Sequence, residues 1–141
     1  MEVGTIFIED MKVGLKRSIS KTIGDSEIKA FSKISEDKNP IHLSDEAGKN
    51  SIFGRRVAHG MLSASLFSAL LGEKLPGHGA IYLSQSLQFI APVFPGDKVT
   101  ASVIVEKIDK SKKHVTLKCE ALVSGKLVIM GQAIALAPSR G

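Results

Sequence analysis

The sequence predicts an α+β domain in which an antiparallel sheet wraps around one long buried helix. Three observations predict it. Everything after Gly79 alternates apolar and polar residues in four runs separated by turn chemistry. One apolar segment, Gly60 to about Lys74, has helical spacing and few polar positions. The connections between successive runs are short, which implies antiparallel pairing. A length of 141 residues favours a single domain spanning 1–141, and no repeat, linker or low-complexity tract divides it.

The elements follow in chain order. From Leu15 to Ile23 the pattern alternates, with Leu15, Ile19 and Ile23 on one face, so a strand is expected. Gly24-Asp25-Ser26 is a capping signal, and Ile28, Phe31 and Ile34 recur at helical spacing up to about Ser35. From Glu36 to Ala58 no period is sustained; a long segment with little regular structure in a compact domain is usually functional. In the next helix Met61, Leu62, Leu66, Phe67, Leu70 and Leu71 predict burial on most sides. Strand-like runs then hold Ile81 to Ala91, Val99 to Val105, Val115 to Val123 and Leu127 to Ala135. Pro92 to Asp97, Asp109 to Lys113 and Ser124-Gly125 break them. Edge strands left open in so small a domain are a liability, which predicts edge-to-edge dimerisation.

Composition excludes several classes. Hydrophobic residues at 43% and charged residues at 23% describe an ordinary globular chain rather than a disordered one. The apolar stretch Met61 to Leu71 is too short to span a bilayer, and no signal-peptide pattern opens the chain. A lone cysteine, Cys119, excludes an intrachain disulfide and a cysteine-based zinc site, and its alternation with core positions reads as a small buried hydrophobe. The expected setting is cytoplasmic, with no membrane partner. The net charge of +5 does not point to nucleic acid, because Lys and Arg are dispersed and there is one tyrosine and no tryptophan for base stacking. Lys107, Lys110, Lys112 and Lys113 flank a turn and read as a solvated hairpin tip. His78 and His114 read as exposed. Arg55 and Arg56 fit either a solvated loop or contact with a substrate's phosphates.

The chemistry-bearing residues lie in the irregular segment. Asp37 and His42 are five positions apart, and Pro40 pushes Asn39 out of the α region, which stiffens the turn. A carboxylate beside an imidazole orients it and raises its basicity. The two can grip one water, and Asn39 can hold a neighbouring group. Gly60 opens the long helix, where free N–H groups and the positive dipole end would stabilise a developing enolate oxygen. His59 reads as a brace at the helix start. Two His and one carboxylate can also hold iron. That reading of Asp37, His42 and His59 is not favoured, because no regular element carries all three.

The run Phe31 to Ser44, which contains Ser35-Glu36-Asp37-Lys38-Asn39-Pro40-Ile41-His42, resembles the hydratase-2 signature of MaoC-like proteins. So do Val57 to Leu62 with Ser65 to Ser68, the tract Ile81 to Phe89, and the Pro95-Gly96-Asp97 turn. The resemblance covers nearly the whole chain and is nearest to short bacterial (R)-specific enoyl-CoA hydratases that feed polyhydroxyalkanoate synthesis. It implies a hot-dog domain acting as a homodimer, and hydration of trans-2-enoyl-CoA to (R)-3-hydroxyacyl-CoA. Asp37 and His42 match the catalytic dyad, Asn39 the residue that supports them, and the Gly60 amide the oxyanion donor. Ser68 and Leu71 fall where the family lines its acyl pocket. No metal or other cofactor is implied; coenzyme A enters as part of the substrate. Glu36 departs from the pattern, since many members carry Gly there. The alternatives are a 3-hydroxyacyl-carrier-protein dehydratase, a non-catalytic hot-dog partner subunit and, more weakly, a thioesterase. Substitutions at Asp37 and His42 are expected to cost little stability, as for other loop positions.

Overall fold

A computed structural model describes residues 4–141. Five strands form one antiparallel sheet: β1 (Lys16–Ile23), β2 (Ile81–Phe89), β3 (Asp97–Asp109), β4 (His114–Val123) and β5 (Lys126–Leu136), in the order β1-β3-β4-β5-β2. Period-two alternation sets the inner face. Val99, Ala101, Val103 and Val105 of β3 and Val115, Leu117, Cys119 and Ala121 of β4 are fully or almost fully buried. Ala101, Ala121, Ala133 and Ala135 keep that face shallow, so a helix can lie close against it. The helix is α4 (Gly60–Glu73), whose Leu62, Leu66, Phe67, Leu70 and Leu71 enter the core. No helix among the described residues is long and apolar enough to cross a membrane.

Before α4 come α1 (Asp25–Ser35), α2 (Pro40–Leu43) and α3 (Asp45–Lys49). The last two correct the expectation of an irregular 36–58 segment. Helices of four and five residues are too short to reveal a period, but their caps are legible after the fact. Asn39 accepts from the Ile41 amide with Pro40 in the first turn, and Ser44 accepts from the Ala47 amide.

The helix is also less enclosed than expected. Met61, Ser65, Ser68 and Ala69 leave one flank of α4 exposed. Ile81, Tyr82, Leu83 and Phe89 of β2 are exposed too. At the end of α1, Glu36 adopts φ 67°, the left-handed region where glycine carries no Cβ penalty. That is why a glycine suits this position. The Glu36 side chain turns to Lys38 at 3.4 Å.

Candidate active site

The turn after α1 builds the site from backbone hydrogen bonds. The Ser35 hydroxyl accepts from the Asp37 amide, Asp37 Oδ1 accepts from the Asn39 amide at 3.2 Å, and Asn39 Oδ1 accepts from the Ile41 amide. One carboxylate oxygen of Asp37 is thereby spent on the turn, and Oδ2 faces His42 Nε2 at 3.9 Å. His42, on α2, is 8% exposed, whereas the Asp37 side chain is 49% exposed. The pair sits at a boundary between protein and solvent, with the imidazole inside.

The proton placement on His42 follows from its neighbour. Its Nδ1 lies 2.8 Å from the Val57 carbonyl oxygen, which can only accept. Nδ1 therefore carries the hydrogen, and in the neutral ring Nε2 keeps its lone pair toward Asp37.

His59 braces this arrangement, though not as a cap: it is the N-cap residue of α4 but makes no side-chain capping bond. Its ring stacks on His42 with centroids 3.9 Å apart, and Phe31 packs edge-on at 4.9 Å. Its Nε2 lies 3.0 Å from the Asp37 carbonyl oxygen and 3.0 Å from the Ser32 hydroxyl. The carbonyl fixes Nε2 as the protonated nitrogen, and buried Nδ1 is left without a partner. Burial pushes the His59 pKa down, aided by the charge of His42 and opposed by the Asp37 carbonyl.

A pH dependence follows. The folded pKa lies below the unfolded value, so unfolding takes up a proton as pH falls below about 6.5. His59 thus contributes full stability above that value, and the contribution declines as pH drops toward the folded pKa. Urea midpoints at pH 7.5 and 5.5 check this: the loss on acidification should shrink in His59→Phe.

Asp37, His42 and His59 bring ligand atoms within 4.8 Å of one another. A metal at about 2.0–2.1 Å from imidazole nitrogens needs lone pairs that converge in the ring planes. Here the two rings are stacked with planes 29° apart, so those directions run side by side. The geometry suits a proton-handling pair better than a chelate.

The dyad opens into a cavity of about 360 Å³ walled by Phe53, Met61, Phe89, Ile90, Val93 and Ile129. Gly60 and Met61 line it at the start of α4, where the N-cap makes no side-chain capping bond and the Leu62 amide donates to the His59 carbonyl at 3.1 Å. Ser68 and Leu71 are not brought to this cavity. Ser68 is on the exposed flank of α4, and Leu71 is 2% exposed in the core.

Several contributors escaped the sequence reading. Arg56 is neither solvated nor free for phosphate. It donates to Asp25 at 2.6 Å, to Asp45 at 3.0 Å and to the His42 carbonyl at 3.2 Å, tying the starts of α1 and α3 to the dyad. Arg55 lies over the Phe94 ring, 4.1 Å from its centroid. Ser32, Val57 and Phe89 lie inside the runs that resemble the family, but nothing in those runs assigns Ser32, the Val57 carbonyl or the Phe89 ring its contact. Each acts across a long sequence separation; only the Ile28-Phe31-Ser32-Ser35 spacing on one side of α1 could have hinted at Ser32. His78 is exposed and bonded to Glu73, whereas His114 is half-buried because it begins β4.

Comparison with known proteins gives a consistent result. Residues 8–125 match the family described as MaoC like domain. The chain is 47% identical to an (R)-specific enoyl-CoA hydratase of Rhodospirillum rubrum, over 96% of this chain and 94% of that protein. Its structure superposes on the (R)-hydratase from A. caviae involved in PHA biosynthesis with a TM-score of 0.89 and 45% identity, covering 92% of this chain and 99% of the other. Unliganded R-hydratase PhaJ1 from Pseudomonas aeruginosa matches with a TM-score of 0.91 and 34% identity, over 96% and 88%. These matches bear out the hot-dog architecture.

Proposed function

The chain belongs to the MaoC-like domain family, and from that premise we propose that it is a hydro-lyase adding water to trans-2-enoyl-CoA to give (R)-3-hydroxyacyl-CoA. In the cell it supplies or consumes (R)-3-hydroxyacyl thioesters of fatty-acid and polyhydroxyalkanoate metabolism.

One observation carries the mechanism: Asp37 Oδ2 and His42 Nε2 stand 3.9 Å apart beside the start of α4. That separation is too long for a direct hydrogen bond and suits one water donating to both acceptors. The thioester oxygen accepts from the Gly60 amide, which places C3 over that water. As the water oxygen bonds to C3, the C2=C3 π electrons move into an enolate stabilised at Gly60. The pair takes one proton from the water and returns one to C2 on the same face, so its own protonation is unchanged over the cycle. The midway position of the proton belongs to the pair, not to either residue. Asn39 and His59 hold the geometry. No metal or other cofactor takes part.

A homodimer fits the same reading. The exposed β2 edge offers unpaired backbone groups. A second copy pairing there would cover them. Free, buried Cys119 suits a reducing cytoplasm.

The test uses purified chain in buffer containing a chelator. Loss of enoyl absorbance with crotonyl-CoA, formation of the (R) alcohol, and sedimentation at twice the 15.0 kDa chain mass are the expected results. No turnover, or an (S) product, overturns the proposal. A parallel arm with crotonyl-carrier protein separates hydratase from carrier-protein dehydratase, and release of free coenzyme A thiol would indicate a thioesterase.

A further inference from the structure

We infer that Phe89 is a specificity-determining residue whose ring limits the length of acyl chain the site accepts. The inference rests on the hydratase reading of the same cavity. A Cβ placed on Gly60 would lie 2.6 Å from both Cδ1 and Cε1 of Phe89, so the ring rests directly against the Gly60 backbone. That is the residue assigned to hold the thioester oxygen. Phe89 ends β2, pairs in register with Ile129 of β5, and both wall the cavity.

The direction of the acyl chain gives this contact its meaning. The short loop from α4 to β2 sends the strand back alongside the helix, so Leu87 and Gln85, inner-face residues like Phe89, follow toward the C-terminal half of α4. The exposed flank carrying Ser65, Ser68 and Ala69 runs the same way. Yet the cavity is bounded by Phe89 and Met61, and neither Leu87 nor Ser68 borders it. A chain whose carbonyl sits at Gly60 meets the ring after a few carbons. Past the ring, along α4 and β2, come the exposed Ser65, Ser68 and Ala69 and the half-buried Leu87. Phe89 is 52% exposed in the single chain, so within that chain about half of its surface is unpacked.

The experiment compares wild type, Phe89→Leu and Phe89→Ala on crotonyl-, hexenoyl- and octenoyl-CoA, with sedimentation of each. Truncation should raise the octenoyl-to-crotonyl ratio of kcat/KM by about tenfold in Phe89→Ala, with Phe89→Leu between, since each added methylene buried in a pocket strengthens binding several-fold. An unchanged ratio in Phe89→Leu, with crotonyl-CoA still turned over, overturns the inference. Equal losses on all lengths together with dissociation also overturn it, because Phe89 would then serve only the contact between copies. Wild type inactive on every ester would instead defeat the hydratase reading itself.

Discussion

Asp37→Asn and His42→Asn will each lower crotonyl-CoA turnover by about a thousandfold, the middle of the range for losing a positioned acid or base. Asn at 37 keeps the shape of the carboxylate and can still accept from the Asn39 amide, but an amide does not take a proton from water. Asn at 42 can place an amide nitrogen near the position of Nδ1 and still donate to the Val57 carbonyl, while removing the lone pair at Nε2. The choice at 42 matters for stability. His42→Ala would strip a 2.8 Å hydrogen bond from a buried carbonyl and remove the stacking partner of His59. That change should cost about 2 kcal/mol, which corrects the expectation that position 42 behaves as an ordinary loop residue. Steady-state rates on crotonyl-CoA with urea midpoints for each variant check both statements. Near-wild-type turnover in either Asn variant would remove Asp37 or His42 from the chemistry.

The second large effect is expected far from any polar chemistry. Gly48→Ala should destabilise the fold by about 2–3 kcal/mol and depress turnover with it. Gly48 lies within α3, where alanine is ordinarily preferred by about 1 kcal/mol. Here the added Cβ would fall on the backbone N and Cα of Arg56, and peptide backbone cannot rotate aside as a side chain can. The steric term therefore outweighs propensity and reverses the usual sign. The displaced segment carries the Arg56 bonds to Asp25, Asp45 and the His42 carbonyl, and next to it the Val57 oxygen that orients His42. A Gly48→Ala protein with unchanged or raised denaturation midpoint would refute this account.

What the sequence disclosed, and what it withheld, follows the range of the interactions. β3, β4 and β5 were legible because burial imposes a period on them, as in Val99 to Val105, whereas β1 and β2 were legible from alternation alone, most of their residues being exposed in the single chain. The Asp37–His42 spacing and the opening of α4 at Gly60 were legible because they are local. The acceptor for His42, fifteen residues away, was not, and neither was Ser32 against His59, twenty-seven away. Such contacts depend on how elements dock. Ser68 and Leu71 show the same limit on one helix. Three positions apart, they straddle the edge of the buried stripe, so one points to solvent and the other into the core.

The oxygen that decides which side of the His42 ring is reactive belongs to the main chain of Val57. Mutation can exchange the valine side chain but cannot delete that oxygen. Drift at this locus can therefore reshape the packing around the ring, yet the acceptor that holds its Nδ1 hydrogen persists through every exchange of side chain.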